Sequence, residues 1–215
     1  MPTTTAKLRA FHGVDSIKEK YLNRVSKHRE ADQLLQNYGY WADGKGCAVG
    51  CTLHSENHLD YETELGIPVA LAYLEDRLFE RLPVAQARLW PERFLTAPKV
   101  GADLTLVPHQ FAIWLLTDPQ AIIPQVVKDK EALEIINAVA DLYRRFIAGD
   151  KPSVAEWEAV SSRASEASAR AWKAYDDALA LALLFLLVEP SHDLLLDVLQ
   201  LLIHRRARTN VPPDR

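Results

Sequence analysis

The spacing of apolar residues is helical along most of the chain. Apolar side chains recur three and four positions apart in residues 71–82, 111–116 and 130–147, which is the repeat of an α-helix with one buried face. No stretch alternates convincingly between apolar and polar residues over six positions, so we expect no substantial sheet. The pattern predicts an all-α fold, a single compact multi-helix domain of seven or eight helices.

Two capping boxes predict where helices begin. Ser16 is followed three positions later by Glu19, and Ser153 is followed by Glu156. In such a box the serine side chain accepts hydrogen bonds from first-turn amides while the glutamate reaches back to the serine amide. We therefore expect one helix to start near residue 16 and another near residue 153.

The region around residue 150 predicts how the chain is organised. Gly149-Asp150-Lys151-Pro152 ends one amphipathic stretch just before the second capping box. We expect residues 1–150 to form a helical body and residues 151–215 to form a C-terminal helical hairpin packed on the same domain. Residues 178–188 form an apolar run, in which these side chains should be buried: Leu181, Leu184, Phe185 and Leu187. That run has about half of the 20 residues that a membrane span needs, which argues against a membrane.

Composition narrows the classes of function. The 215 residues contain 25 Lys and Arg against 29 Asp and Glu, which gives a net charge of −4 and argues against a nucleic-acid partner. Two cysteines exclude a disulfide-rich secreted scaffold. The N-terminus carries no apolar stretch behind a basic start. Together these features predict a cytoplasmic protein with reduced thiols.

One short segment contains both cysteines and two of the seven histidines. After a glycine-rich approach, the spacing is Cys47-x3-Cys51-x2-His54-x3-His58. On a continuous helix all four side chains would share one stripe about 60° wide. The same helix would spread Cys47 and His58 over about 16 Å, so one metal ion could be held by all four only if the chain breaks near residues 55–57.

Three interpretations of this segment stay open. Thiolate and imidazole ligands suit zinc, with Cys47, Cys51, His54 and His58 as the metal ligands. Alternatively, Cys47 lies at a helix N-terminus as a catalytic nucleophile, with His54, or else His58, as its base. In the third interpretation the cysteines are small core residues and the histidines lie on a solvated surface.

Several motifs in the first 157 residues carry a family resemblance. They are residues 44–54 (GKGCAVGCTLH), 64–68 (ELGIP), 74–76 (LED), 90–95 (WPERFL) and 100–104 (VGADL). Between about Phe11 and Trp157 the chain resembles a family of uncharacterised bacterial and phage-borne proteins. The resemblance implies a shared fold and a shared site at the cysteines, and it implies no particular reaction.

Two classes of function follow from the sequence. In the first, the Cys47–His58 segment forms a metal-binding or thiol-reactive site. In the second, the protein is a protein-interaction module of the immunity or anti-defence kind that mobile elements carry, and the segment is purely structural. A thiol enzyme requires a partly exposed Cys47 with a histidine close to its sulfur. An interaction module is expected to bury its thiols and to expose an apolar or aromatic patch elsewhere.

Overall fold

The computed structural model of this protein describes residues 7–173, and these residues are predominantly helical. A 3-10 turn at Ala10–Gly13 precedes the regular elements. The elements in chain order are α1 (Asp15–Glu30), β1 (Trp41–Ala42), β2 (Lys45–Gly46), α2 (Ala48–Leu53), α3 (Asp60–Leu65), α4 (Val69–Arg81), α5 (Val84–Ala87), α6 (Trp90–Thr96), α7 (Val107–Thr117), α8 (Ile122–Val126), α9 (Lys130–Ile147) and α10 (Val154–Lys173). Eight of the described helices have six residues or more, while α5 and α8 are shorter. The predicted all-α class is confirmed.

The chain divides into two compact units, Met1–Thr105 and Leu106–Arg215. The structure describes residues 7–105 of the first and 106–173 of the second. The predicted division at residue 150, with a C-terminal hairpin beyond it, stays a prediction. The apolar run at 178–188 and its four side chains expected to be buried lie outside the described residues.

The first unit is built around α1, which contacts α2 and α6, and around α4, which contacts α2, α3 and α6. Helix α1 contributes the buried side chains of Tyr21 and Val25. Helix α4 contributes Phe79 to the same core. Helix α2 is different, because all six of its residues are buried. The segment predicted to carry chemistry is therefore central to this unit.

The second unit is built around α9, which contacts both α7 and α10. Its apolar positions recur three or four residues apart, and Ile136, Val139 and Tyr143 are all buried. The ring of Tyr143 packs edge-on against Trp157 of α10, with 5.0 Å between the ring centroids. The start of α9 is fixed by Asp129, whose side chain accepts from the Ala132 amide at 2.8 Å.

The two predicted capping boxes have different outcomes. Ser153 and Glu156 form the predicted reciprocal bonds, at 2.8 Å from the serine amide and 3.3 Å from the glutamate amide. The prediction at Ser16 was wrong: α1 begins at Asp15, and its N-cap residue Val14 has no side-chain cap. Ser16 thus lies inside the first turn, where its hydroxyl is not in the capping position.

A short antiparallel hairpin was not foreseen. It pairs Trp41 with Gly46 and Ala42 with Lys45. Each strand has only two residues, too few to produce an alternating pattern. Gly46 also pairs with Leu34 in a parallel bridge. The hairpin therefore ties the loop after α1 to the start of α2.

Within residues 7–173, no helix is both long enough and apolar enough to cross a membrane.

Candidate functional site

The chain approaches α2 with two glycines packed directly on the backbone of Tyr40. A Cβ atom added at Gly46 would lie 2.0 Å from the Tyr40 carbonyl oxygen, and one added at Gly50 would lie 1.5 Å from it. The Cys47 amide donates to that same oxygen at 3.1 Å. Only glycine permits so close an approach. The glycines are therefore required to pack residues 39–41 against the start of α2.

Cys47 is the N-cap residue of α2, as the glycine-rich approach predicted. Its sulfur accepts from the Gly50 amide at 3.4 Å. The thiol is buried, and burial together with the nearby carboxylate of Asp76 raises the pKa of the Cys47 thiol far above its usual range. The thiol is therefore protonated at neutral pH, whereas a nucleophilic cysteine needs its thiolate form.

Cys51 lies one turn further along α2 and is also buried. Its thiol donates to two backbone carbonyls, Gly46 at 3.4 Å and Gln33 at 3.5 Å. Burial raises the pKa of the Cys51 thiol to about 12. Both cysteines are free thiols. Cys51 thus behaves as a small core residue that anchors the loop after α1.

His54 ends α2 in the left-handed conformation, with φ of 59°. Its Nε2 atom lies 2.7 Å from Nε2 of His28, near the end of α1. Its ring stacks on Trp41 with centroids 4.5 Å apart and planes 13° apart. Burial, followed by the nearby Arg24 and His28, lowers the pKa of His54 to about 4. His54 is therefore a neutral imidazole at physiological pH, and it forms with His28 what we call the imidazole pair.

His28 was not among the sequence-predicted site residues. His28 lies at helical spacing from Tyr21 and Val25, on the apolar stripe of α1, and no motif near it in the sequence indicates its neighbour. Its position near the C-terminal end of a helix could have suggested a role. Gln33 follows five residues later, and its side-chain oxygen lies 2.6 Å from Nδ1 of His28. Its contact with His54 is a long-range one that no spacing rule predicts.

His58 lies in a different place, in a buried cluster with Asp76. The chain leaves the helix at residue 54, so His58 is carried away from His54, as the break predicted at residues 55–57 implied. The His58 ring stacks on Tyr73 at 4.5 Å and packs edge-on against Tyr40 at 4.6 Å. Its Nε2 atom lies 3.8 Å from a carboxylate oxygen of Asp76. Cys47 and His58 therefore share Asp76 as a neighbour, a residue that the sequence analysis missed.

The cluster continues into a second buried pair. The hydroxyl of Tyr61 donates to a carboxylate oxygen of Glu75, and both residues are fully buried. Burial raises the pKa of both groups well above their ordinary values. Buried side-chain atoms of this region for which no hydrogen-bond partner is found are His58 Nε2, Asp76 Oδ1 and Glu75 Oε1. A polar core of this kind is uncommon, because buried polar atoms are nearly always paired.

The four predicted site residues thus belong to separate environments. Cys47 and His58 lie near Asp76, His54 lies beside His28, and Cys51 contacts the carbonyls of Gly46 and Gln33. Cys47 and His54 are the caps of the same helix, about 10 Å apart along its axis. Among residues 7–173, no three His, Cys, Asp or Glu side chains are grouped so that they could hold a metal ion. The structure gives no support to one zinc ion held by Cys47, Cys51, His54 and His58. It equally gives no support to a catalytic pair formed by Cys47 and His54.

Near the buried cluster, large apolar side chains lie at the surface. Tyr38 and Tyr40 are each 45% exposed, and Leu59 is 59% exposed. Tyr40 packs on His58, Tyr38 lies two positions before Tyr40, and Leu59 follows His58 in the chain. We call Tyr38, Tyr40 and Leu59 the aromatic face.

Comparisons with models of protein families, with curated proteins and with solved structures find no match to this chain. The resemblance drawn from the sequence motifs stays a prediction.

Proposed function

We propose that this protein is a protein-interaction module whose contact surface is the aromatic face. The observation that carries the proposal is the contrast within one segment. Both thiols are buried and bonded to neighbouring groups, while Tyr38, Tyr40 and Leu59 are exposed. A thiol enzyme needs the reverse arrangement. The Cys47–His58 segment then acts as the scaffold that presents the aromatic face.

The composition of the aromatic face suits recognition of another protein. Tyrosine is enriched in interfaces, because a large ring and one hydroxyl contribute contact area with few rotatable bonds. The Tyr40 ring packs edge-on against the imidazole of His58. The ring of Tyr73 stacks on the same imidazole and holds it in position. Tyr40 is therefore held in place before binding, which lowers the entropic cost of association.

The charges on the segment that carries Leu59 favour a particular kind of partner. Residues 54–64 contain Glu56, Asp60, Glu62 and Glu64 and contain no lysine or arginine. An acidic segment attracts a partner that carries basic side chains and accelerates its association. We therefore propose a protein partner that presents an apolar side chain flanked by lysine or arginine. The biological setting that we propose for such a module is an immunity or anti-defence role, and a cytoplasmic location belongs to the same proposal.

A site-specific photo-crosslinker tests this proposal. We would place p-benzoylphenylalanine at Tyr38 and, in a matched control, at Trp114, which is also 45% exposed. Cross-linking is done in cells that encode the protein. We expect one dominant adduct from position 38 that is lost when Leu59→Ala is added, and a different pattern from position 114. The same adducts from both positions, or none from position 38, would contradict the proposal.

Purified partner then allows a quantitative test. Tyr40→Ala should weaken binding at least tenfold, as truncation of an interface anchor does. Leu89→Ala is the matched control, because Leu89 is also about half exposed and directly precedes α6, outside the segments that carry the aromatic face. Glu56→Gln should slow association and reduce its salt dependence with a smaller effect on dissociation. Equal loss of binding in the Leu89 and Tyr40 variants would argue against a localised contact surface.

A thiol-dependent site at Cys47 is the second candidate. The observation that favours it is the shared neighbour Asp76, together with the buried Nε2 atom of His58 for which no hydrogen-bond partner is found. Alkylation of the native protein by iodoacetamide at pH 8 separates the two candidates. The interaction module predicts that both thiols react slowly, with Cys51 about a thousandfold slower than an ordinary thiol because its pKa is about 12 rather than 9.0. Fast modification of Cys47 alone would favour the thiol site.

A further inference from the structure

The imidazole pair has the geometry of a two-ligand metal site. The Nε2 atoms of His28 and His54 lie 2.7 Å apart. Nitrogen ligands about 2.0–2.1 Å from one ion are about 2.9 Å apart when they are at 90° to each other, and about 3.3 Å apart in a tetrahedron. The observed separation is closer to the 90° arrangement of square-planar and octahedral ions. A small outward rotation of either ring would admit such an ion between the two nitrogens.

Gln33 fixes the tautomer of His28. The Gln33 side-chain oxygen lies 2.6 Å from Nδ1 of His28. An amide oxygen can only accept, so Nδ1 carries the hydrogen and the lone pair of a neutral His28 is on Nε2, where it accepts from Nε2–H of His54. A metal ion bound between the two rings takes the place of that hydrogen, and a neutral His54 then carries its proton on Nδ1. Metal-binding histidines are commonly held in this way, with the second ring nitrogen donating to an oxygen.

His54 is held by its backbone and by Trp41. Its φ of 59° is in the left-handed region, which histidine adopts more readily than most non-glycine residues but still at some cost. The stacked Trp41 ring fixes the plane of the imidazole. Strained residues of this kind cluster at functional sites. Together these contacts orient Nε2 of His54 before any ligand binds.

The charges around the pair limit the kind of ion that can bind. Arg24 and Lys20 are positive charges that act on His54, and the carboxylate of Glu64 opposes them. Arg24 also donates to the Thr52 carbonyl at 2.7 Å, which keeps the guanidinium engaged. Nearby cations disfavour hard ions that bind through charge alone. An ion that prefers imidazole nitrogen is favoured instead.

From this geometry we infer that His28 and His54 together bind a divalent first-row transition-metal ion, Cu²⁺ more tightly than Ni²⁺ or Zn²⁺, with water in the remaining positions. Copper(II) is favoured because it lies at the top of the affinity order for nitrogen ligands and accepts a 90° angle between two of them. The inference is independent of the proposed protein partner. It also differs from the zinc site predicted from the sequence, because His28 replaces both cysteines and His58.

Titration of the untagged full-length protein with CuCl₂, NiCl₂ or ZnCl₂ at pH 7 tests the inference. We expect one equivalent of Cu²⁺ to bind with an electron paramagnetic resonance spectrum that shows coupling to two nitrogens. His28→Ala and His54→Asn should each weaken Cu²⁺ binding at least tenfold. Asparagine is chosen at residue 54 because it tolerates the left-handed backbone. Circular dichroism and thermal unfolding verify that each variant is folded.

His12→Asn is the matched control, because His12 is also exposed and left-handed, with φ of 52°, and its Nε2 contacts a carbonyl rather than a second histidine. It should leave Cu²⁺ binding unchanged. Gln33→Leu should weaken binding about tenfold if the tautomer is fixed as described. Unchanged binding in the folded His28 and His54 variants, an equal loss in the His12 variant, or tighter binding of Zn²⁺ than of Cu²⁺ would overturn the inference.

Discussion

The residues at the two ends of helix α2 lie in opposite surroundings. At the N-cap, the sulfur of Cys47 is buried beside Asp76. At the C-cap, His54 is exposed and stacks on Trp41. A helical wheel places both residues on one stripe, but a wheel applies only where the helix continues, and here it covers residues 48–53. The caps leave the helical path, so spacing within the segment did not determine which side chains meet.

The two ends nevertheless share one electrostatic outcome. Burial raises the pKa of Cys47 and lowers the pKa of His54, and each shift favours the uncharged form. A protein interior disfavours charge of either sign, so an acid and a base shift in opposite directions for the same reason. The difference is that the neutral thiol loses its nucleophilic form, whereas the neutral imidazole retains its capacity to bind a metal.

The largest loss of stability is expected when the close packing of α2 on the Tyr40 backbone is disrupted. Gly50→Ala should destabilise the protein by about 3 kcal/mol or more, because the new methyl group would overlap the Tyr40 carbonyl. Gly44→Ala is the control: nothing lies within 4 Å of its Cβ position, and its φ of 77° makes alanine cost about 1–2 kcal/mol. Urea unfolding measures both. Equal costs would show that the close contact at Gly50 is not what requires glycine.

The next effect concerns the cap itself. Cys47→Val removes both the acceptor for the Gly50 amide and the polar group that lies near Asp76, and it should cost about 2 kcal/mol. Cys47→Ser retains both functions in a good capping residue and should cost less than about 1 kcal/mol. Urea denaturation of the two variants provides the comparison. A serine variant as unstable as the valine variant would indicate that packing of the sulfur, and not its hydrogen bonds, matters at this position.

A smaller effect is expected at the C-cap end of α2, where the free energy of unfolding should depend on pH. The pKa of His54 is about 4 in the folded chain and 6.5 as a free side chain. Below pH 6.5 the unfolded chain therefore binds a proton that the folded chain does not, so the free energy of unfolding falls until about pH 4. For a partly exposed side chain we expect a loss of about 1 kcal/mol after solvent screening.

Unfolding of wild type and His54→Asn at matched pH values isolates this contribution from that of the carboxylates. The difference in stability between the two proteins should shrink as the pH falls from 6.5 to 4. The thiols affect stability at high pH instead. Because their pKa values are raised in the folded chain, they lower the free energy of unfolding only above about pH 9. A stability difference that does not change with pH would contradict the lowered pKa of His54.

The smallest effect is expected at the strained backbone of His54. His54→Gly relieves the left-handed conformation but removes the contacts with His28 and Trp41. These changes oppose each other, so the free energy of unfolding should move by no more than about 0.5 kcal/mol. Thermal unfolding is sensitive enough to detect the shift. A loss of 2 kcal/mol would show that the imidazole pair is a main structural support of the first unit.

The sequence predicted local features well and long-range neighbours poorly. The apolar periodicity placed α9 at residues 130–147, and the Ser153 capping box and the Cys47 N-cap are confirmed. These features depend on residues within one turn of each other. The contacts of Asp76 with Cys47 and of His28 with His54 join residues 29 and 26 positions apart. They depend on how α1, α2 and α4 pack, which no spacing rule contains.

The first unit closes on itself between its two ends. The amides of Ala10 and Leu104 donate to the carbonyls of Ala102 and Leu8 at 2.9 and 3.0 Å, and the Gly101 amide donates to Ala10 at 2.8 Å. Joining two segments about 90 residues apart costs about 4 kcal/mol of chain entropy before any contact compensates for it. These bonds should therefore form late in folding, after the helices between them have packed. Proteolytic removal of the chain up to residue 10 would then break all three hydrogen bonds together. The helices between the two segments would depend on their own packing to stay folded.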